Sequence, residues 1–125
     1  MIIWPAIFIN VLQRIRGRQM SGKKPIGKTE ITSQLTSNLS AMKKFGIERI
    51  GLFGSVVRGE AKGESDIDIL VEFKKGQEKF SNLMGLYFYL QNLLGRKIDL
   101  VTRESLSAYL APHILKEVEY IETAS

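Results

Sequence analysis

The sequence predicts an α/β domain of the α+β kind, a small mixed sheet of three or more strands flanked by helices. Three observations predict it. Helix-period and strand-period segments alternate from residue 31 to the C-terminus, in the order α, β, α, β, α, β, α. The strand-like runs are short and separated by glycine-bearing turns. At 125 residues, 44% hydrophobic and 25% charged, the chain has room for one core of ordinary globular composition.

Each element has its own signal. Ile31, Leu35, Leu39, Met42 and Phe45 recur at three- and four-residue steps and make one apolar stripe on a helix. Gly46 is placed to end that helix in a left-handed cap. Ile47–Phe53 reads as a short buried strand ended by Gly54-Ser55, and a short helix is expected over Val56–Glu60, then a loop over Ala61–Ser65. Asp66–Phe73 is the strongest strand signal in the chain. Lys74–Glu78 is a polar turn, Lys79–Leu94 a helix, Gly95-Arg96 a turn and Lys97–Val101 a third strand. A last helix is expected over Ala111–Ile121.

Residues 1–28 stand apart as a basic and apolar tail ahead of a domain spanning residues 29–125. They hold Arg14, Arg16, Arg18, Lys23, Lys24 and Lys28 without one acid, while the remaining 97 residues carry 12 basic against 13 acidic side chains. The net charge of +5 therefore belongs to the tail, and it argues against nucleic acid as a direct substrate of the domain. Met1–Leu12 is too short for a spanning helix of ~20 residues. Its arginines follow the apolar run rather than precede it, opposite to a secretory signal. A membrane is thus not expected as a partner, and a mis-assigned start, with Met20 as the first residue, accounts for the tail more simply than an appendage. Gly22–Thr29 matches the phosphate-loop pattern letter for letter, but Arg14–Ser21 cannot form the buried strand that such a loop needs. No cysteine is present, so disulfides and cysteine zinc sites are excluded and a reducing cytoplasm is the expected compartment. His113 is the single histidine, so metal sites built from several histidines are excluded.

The chemistry is concentrated at strand ends. Alternation sends Ile67, Ile69, Val71 and Phe73 into the core and leaves Asp66 and Asp68 together on the opposite face, their Cα atoms about 6.6 Å apart. Two carboxylates at that spacing can bracket a divalent ion, and paired ions about 3.5–4 Å apart serve in-line phosphoryl-type transfer. Asp99 alternates with Ile98 and Leu100 and is a third candidate ligand. An isolated Asp-x-Asp is commonly a solvated strand edge. Aspartate is disfavoured within strands, however, and here it recurs on two of them. Gly54 would let the backbone approach a ligand closely. Ser55 would cap the following helix, whose N-terminus favours anions. Arg58 stays outside this set, because a solvent-facing arginine paired with a nearby glutamate explains it equally well.

The run Ile50-Gly-Leu-Phe-Gly54-Ser55-Val-Val-Arg58-Gly-Glu-Ala-Lys-Gly-Glu-Ser65-Asp66-Ile-Asp68-Ile-Leu-Val-Glu-Phe73 resembles the signature of the minimal (MNT-type) nucleotidyltransferases of the DNA polymerase beta superfamily. Lys97-Ile-Asp99-Leu-Val fits the strand carrying that family's third carboxylate, and Leu115–Ile121 is similar to its C-terminal helix. The resemblance covers most of residues 30–122. It implies a polymerase-beta-like fold and magnesium-dependent transfer of a nucleoside monophosphate, AMP from ATP, to a hydroxyl. Two Mg²⁺ ions would be held by Asp66, Asp68 and Asp99, and the triphosphate by Gly54 and Ser55. It also implies an antitoxin partnered with a HEPN-domain toxin, in which a toxin tyrosine is adenylylated. The competing reading is a binding module of the same fold that neutralises a toxin by contact, with weak or no catalysis. A nucleotide-sugar glycosyltransferase fails on size and on the Gly-Ser context. Helix 79–94 carries apolar residues around most of its circumference. It is either buried on two sides or exposes a patch for a partner or a second copy.

Overall fold

In the computed structural model, residues 26–61 and 65–121 are described, and all structural statements below concern them. The tail up to residue 25, including the apolar run, Met20 and the first half of the Gly22–Thr29 match, lies outside them. Ile26, the first described residue, is buried in the core.

Helix α1 spans Lys28–Ser37 and α2 spans Leu39–Met42, followed by a single 3-10 turn over Lys43–Phe45. The one helix expected here is broken at Asn38, where the side-chain amide donates to the Gln34 carbonyl at 2.8 Å. An asparagine that bonds the preceding turn competes with the helical ladder. The apolar stripe survives the break, because Ile31, Leu35, Leu39 and Met42 are all buried. Gly46 ends the segment at φ 77°, the left-handed cap expected of it.

Strands β1 (Ile47–Phe53), β2 (Ile67–Phe73), β3 (Ile98–Thr102) and β4 (Glu119–Tyr120) form one sheet in the order β3-β2-β1-β4. β1 runs antiparallel to β2 and β4, whereas β2 and β3 are parallel, so the sheet is mixed. Helix α3 (Ser55–Arg58) follows β1, α4 (Phe80–Leu94) makes the crossover from β2 to β3, and α5 (Ala111–Glu117) leads into β4. Ile50 and Leu52 of β1, Ile67, Ile69, Val71 and Phe73 of β2, and Ile98 and Leu100 of β3 join the helical residues in a single core. The alternation expected of β2 is therefore the alternation observed.

The C-terminal expectation needs correction. The helix ends at Glu117 rather than continuing through Ile121, and Val118 is extended at φ −63°, ψ 138°. Glu119 and Tyr120 then pair with Leu52 and Gly51 of β1, and the Ile121 N–H donates to the Ile50 carbonyl. Two cross-strand contacts fix this edge. The Tyr120 hydroxyl donates to Glu72 at 2.6 Å, and the Arg49 guanidinium lies 3.9 Å from the Tyr120 ring centroid. Burial pushes Glu72 upward, but hydrogen bonds from Tyr120 and Arg49 more than offset it, so this carboxyl titrates below the usual range. Gly51 is what lets β4 approach, since a Cβ there would collide with Val118 and the Glu119 carbonyl.

Helix α4 satisfies both readings of its apolar girth in part. Leu83, Leu86, Tyr87, Leu90 and Leu94 are buried, while Phe80 and Phe88 remain exposed at 46% and 39%.

Candidate active site

The site lies where β1 ends, on the sheet face opposite the main core. Asp68 is the register partner of Phe53 on β1 and of Asp99 on β3. Register partners on adjacent strands point to the same face, with Cα atoms about 5 Å apart. Asp99 thus joins Asp68 on one side of the sheet, as the alternation of its strand predicted. Asp66 stands one residue ahead of β2 rather than within it. It is still close enough to repel both of the other carboxylates.

That repulsion shows in their titration. Burial first, then the charges of Asp99 and Asp66, push the Asp68 carboxyl up to about 6, against the opposing pull of Arg58 and of the Ser55 backbone N–H. Burial and then Asp66 raise Asp99 as well. Asp66, Asp68 and Asp99 together are a hard-oxygen donor set of the kind that suits Mg²⁺. As placed, however, no group of three or more His, Cys, Asp or Glu side chains among the described residues is gathered closely enough to hold an ion.

The sign of the Asp68 displacement fixes a pH dependence. Its folded-state pKa lies above the ordinary 3.8, so the folded chain holds this proton more tightly than the unfolded chain. Metal-free stability should therefore fall as pH rises from about 4 to about 6 and then level off. Any reaction that needs the Asp68 carboxylate should rise over the upper part of that window, with a midpoint that moves down as magnesium is increased. Thermal melts and initial rates between pH 5 and pH 8 read both.

Gly54 joins β1 to α3 at φ 79°, ψ −151°, a conformation essentially reserved for glycine. A side chain here would be driven into the Asp68 carboxylate, so the turn rests directly on that acid. The expected close backbone approach exists, but what it approaches is a carboxylate of the same chain. Ser55 needs a correction. It is the first residue of α3 rather than its cap, and its backbone N–H donates to Asp68. The capping position belongs to Gly54, with no side-chain cap bond.

One contributor escaped the sequence reading. Glu117, at the end of α5, accepts the Gly54 N–H through Oε2 and receives Arg58 Nη1 at 2.9 and 3.2 Å. Arg58 also donates from Nε to Glu60 at 3.0 Å. The arginine is thus paired with glutamates, as its plainer explanation held, and one of them comes from 59 residues away. Nothing in Leu115–Tyr120 marks Glu117 beforehand, because a glutamate near the end of a short helix is an ordinary surface residue.

Residues 34–121 match the model of the nucleotidyltransferase domain family. The chain belongs to that family. It is 44% identical over 93 residues to the protein adenylyltransferase MntA of Thermococcus cleftensis, a span covering 74% of this chain and 93% of that protein. A solved structure assigned to the minimal nucleotidyltransferases superposes with a TM-score of 0.67 at 32% identity, covering 75% of this chain and 95% of that one. At 20% identity, the complex of a tri-AMPylated Shewanella oneidensis HEPN toxin with its MNT antitoxin shares the fold, with a TM-score of 0.53 and coverage of 74% of this chain and 73% of that one. This nucleotidyltransferase is therefore an enzyme of the minimal branch. Among its described residues, no helix is long and apolar enough to cross a membrane.

Proposed function

We propose that this nucleotidyltransferase is a magnesium-dependent protein adenylyltransferase that transfers AMP from ATP to a hydroxyl of a HEPN-type toxin and acts as its antitoxin in the cytoplasm. The observation that carries the proposal is the register of Asp68 with Asp99 across β2 and β3, beside the Gly54-Ser55 turn. The identity to MntA of Thermococcus cleftensis supports protein as the acceptor, and the shared fold with the MNT–HEPN complex supports the partner.

In this reading Asp66, Asp68 and Asp99 hold two Mg²⁺ ions. When bound, the metal would supply Lewis-acid stabilisation of charge on the triphosphate and lower the pKa of the acceptor hydroxyl. The chain's own residues do the rest. The raised pKa of Asp99 suits it to take the proton of the acceptor hydroxyl. Gly54, through its backbone N–H, and Ser55, through its hydroxyl, hold the β- and γ-phosphates, where charge accumulates as pyrophosphate leaves. The exposed Phe80 and Phe88 of α4 offer apolar area to the toxin or to a second copy of the chain. The catalytic unit is taken to start at Ile26 rather than at residue 29, because Ile26 is buried in the core and Lys28 opens α1.

The test is incubation with magnesium, α-labelled ATP and the HEPN protein encoded beside this chain. Wild type should label that protein, and Asp99→Ala should lower the rate roughly 10²-fold or more. Toxin neutralisation that persists in an Asp66→Ala/Asp68→Ala variant incapable of transfer would favour the contact-only module.

A further inference from the structure

The Gly54-Ser55 turn has two backbone N–H groups facing acids, and both are engaged by carboxylates of the chain. Asp68 takes the N–H of Ser55, and Glu117 takes that of Gly54. Arg58, beside them, lies between Glu60 and Glu117. Its charge also acts on Asp68, and Asp66 and Asp99 add theirs next to Asp68, so carboxylates predominate around the turn among the described residues. A polyanion entering this turn meets an excess of negative charge and two donors already in use. An N–H hydrogen directed at one carboxylate oxygen cannot at the same time serve a phosphate oxygen.

The two acids differ in what they could yield. Asp68 is fixed in a central strand against the Gly54 backbone. Glu117 is the last residue of a seven-residue helix, and it is joined through extended Val118 to a strand of two residues. Its side chain is 26% exposed, and its arginine partner 48%. An ion pair that open to solvent is weak and exchangeable. The anchor downstream is independent of Glu117, since Tyr120 holds Glu72 and stacks under Arg49. The carboxylate can therefore swing away while β4 stays paired.

We propose that Glu117 is a built-in competitor for the phosphate seat: its carboxylate occupies the Gly54 N–H and the Arg58 guanidinium, and a nucleoside triphosphate binds by displacing it. The proposal rests on the nucleotide-binding reading above and adds a residue that sets affinity from the far end of the domain. It makes Arg58 change partner, from Glu117 to the triphosphate, when nucleotide enters. An occupied turn also disfavours lesser anions, because only a ligand bringing several charges together with magnesium can outcompete a tethered carboxylate.

Titration of the full chain with Mg–AMP-PNP, followed by calorimetry, tests it. Glu117→Gln keeps the shape and removes the charge, whereas Glu117→Ala removes the acceptor as well. Both should bind the analogue more tightly than wild type, by roughly tenfold, the size of one charge-assisted hydrogen bond no longer displaced. Thermal melts establish that each variant is folded. In wild type, amide exchange at residues 117 and 118 should quicken on adding the analogue, while Tyr120 and Ile121 in the paired strand stay protected. A residue that merely braces the turn predicts the opposite, weaker binding in both variants. Equal or weaker binding by folded Glu117→Gln, with wild type binding normally, overturns the competitor and leaves the nucleotide site standing. If wild type and both variants all fail to bind, the nucleotide reading falls and takes this one with it.

Discussion

Asp68→Asn should abolish transfer and at the same time make the metal-free protein harder to melt. The two effects share one cause. Asp68 sits against the Gly54 turn, partly withdrawn from water and beside two further carboxylates, so holding its charge costs the fold free energy. Displacement from 3.8 to about 6 bounds that cost at roughly 3 kcal/mol. Solvent reaches part of the group, so about 1 kcal/mol is a realistic share. Asparagine keeps an oxygen for the Ser55 N–H and drops the charge, which should raise the melting temperature at pH 8 by about 4 °C. The same change removes a proposed metal ligand shared by both ions, and transfer should fall roughly 10³-fold or more. Magnesium should also raise the melting temperature of wild type but not of the variant. A variant that melts lower than wild type without metal would show that Asp68 is a stabilising acid, and the charge-cluster account of this site would be lost.

Gly54→Ala should be the most damaging single-methyl substitution in the chain. The backbone at φ 79°, ψ −151° lies where an alanine is strained by ~1–3 kcal/mol even in open space. Here the space is closed, because the added carbon would meet the Asp68 carboxylate, itself held in a strand between two neighbours. Either the strand end or the turn must move, and each carries part of the site. A loss of stability of ~3 kcal/mol or more and a fall in transfer of roughly 10²-fold or more are expected. Gly59→Ala is the control. Its φ is 75°, but nothing lies within 4 Å of an added Cβ, so only the left-handed strain of ~1–2 kcal/mol should register. Comparable melting temperatures for the two variants would refute the role given to the Asp68 contact.

What could be read in advance, and what could not, divides along the range of the forces involved. The alternation of Ile67, Ile69, Val71 and Phe73 against Asp68 is a local pattern imposed by burial of one sheet face, and it held, although Asp66 fell one residue ahead of the strand. Gly46 ended its helix in the left-handed cap expected of it because that signal too is local, and Gly95, read only as a turn, does the same for α4. The break at Asn38 depends on a side chain choosing a backbone partner one turn back, which the apolar stripe does not report. β4 is only two residues long and owes its existence to an open edge of β1 and to the bare Cα of Gly51, so the helix-like pattern of Leu115–Ile121 misdirected the reading. Glu117 belongs with these, since its role comes from a contact spanning 63 residues. The capping role expected of Ser55 failed by a single position, which moved the cap to Gly54 and left the serine's backbone N–H on Asp68.

The parallel pairing of β2 with β3 has a consequence for how the enzyme comes into being. Residues 68 and 99 are neighbours only because the chain returns to the sheet through the crossover helix α4. Parallel strands cannot be joined by a tight hairpin, and closing so long a loop carries an entropic cost before any contact rewards it. Bringing the acids together is thus the same non-local closure that completes the core through Ile98 and Leu100. A partly folded chain has half a site, so catalytic competence arrives together with the finished native state.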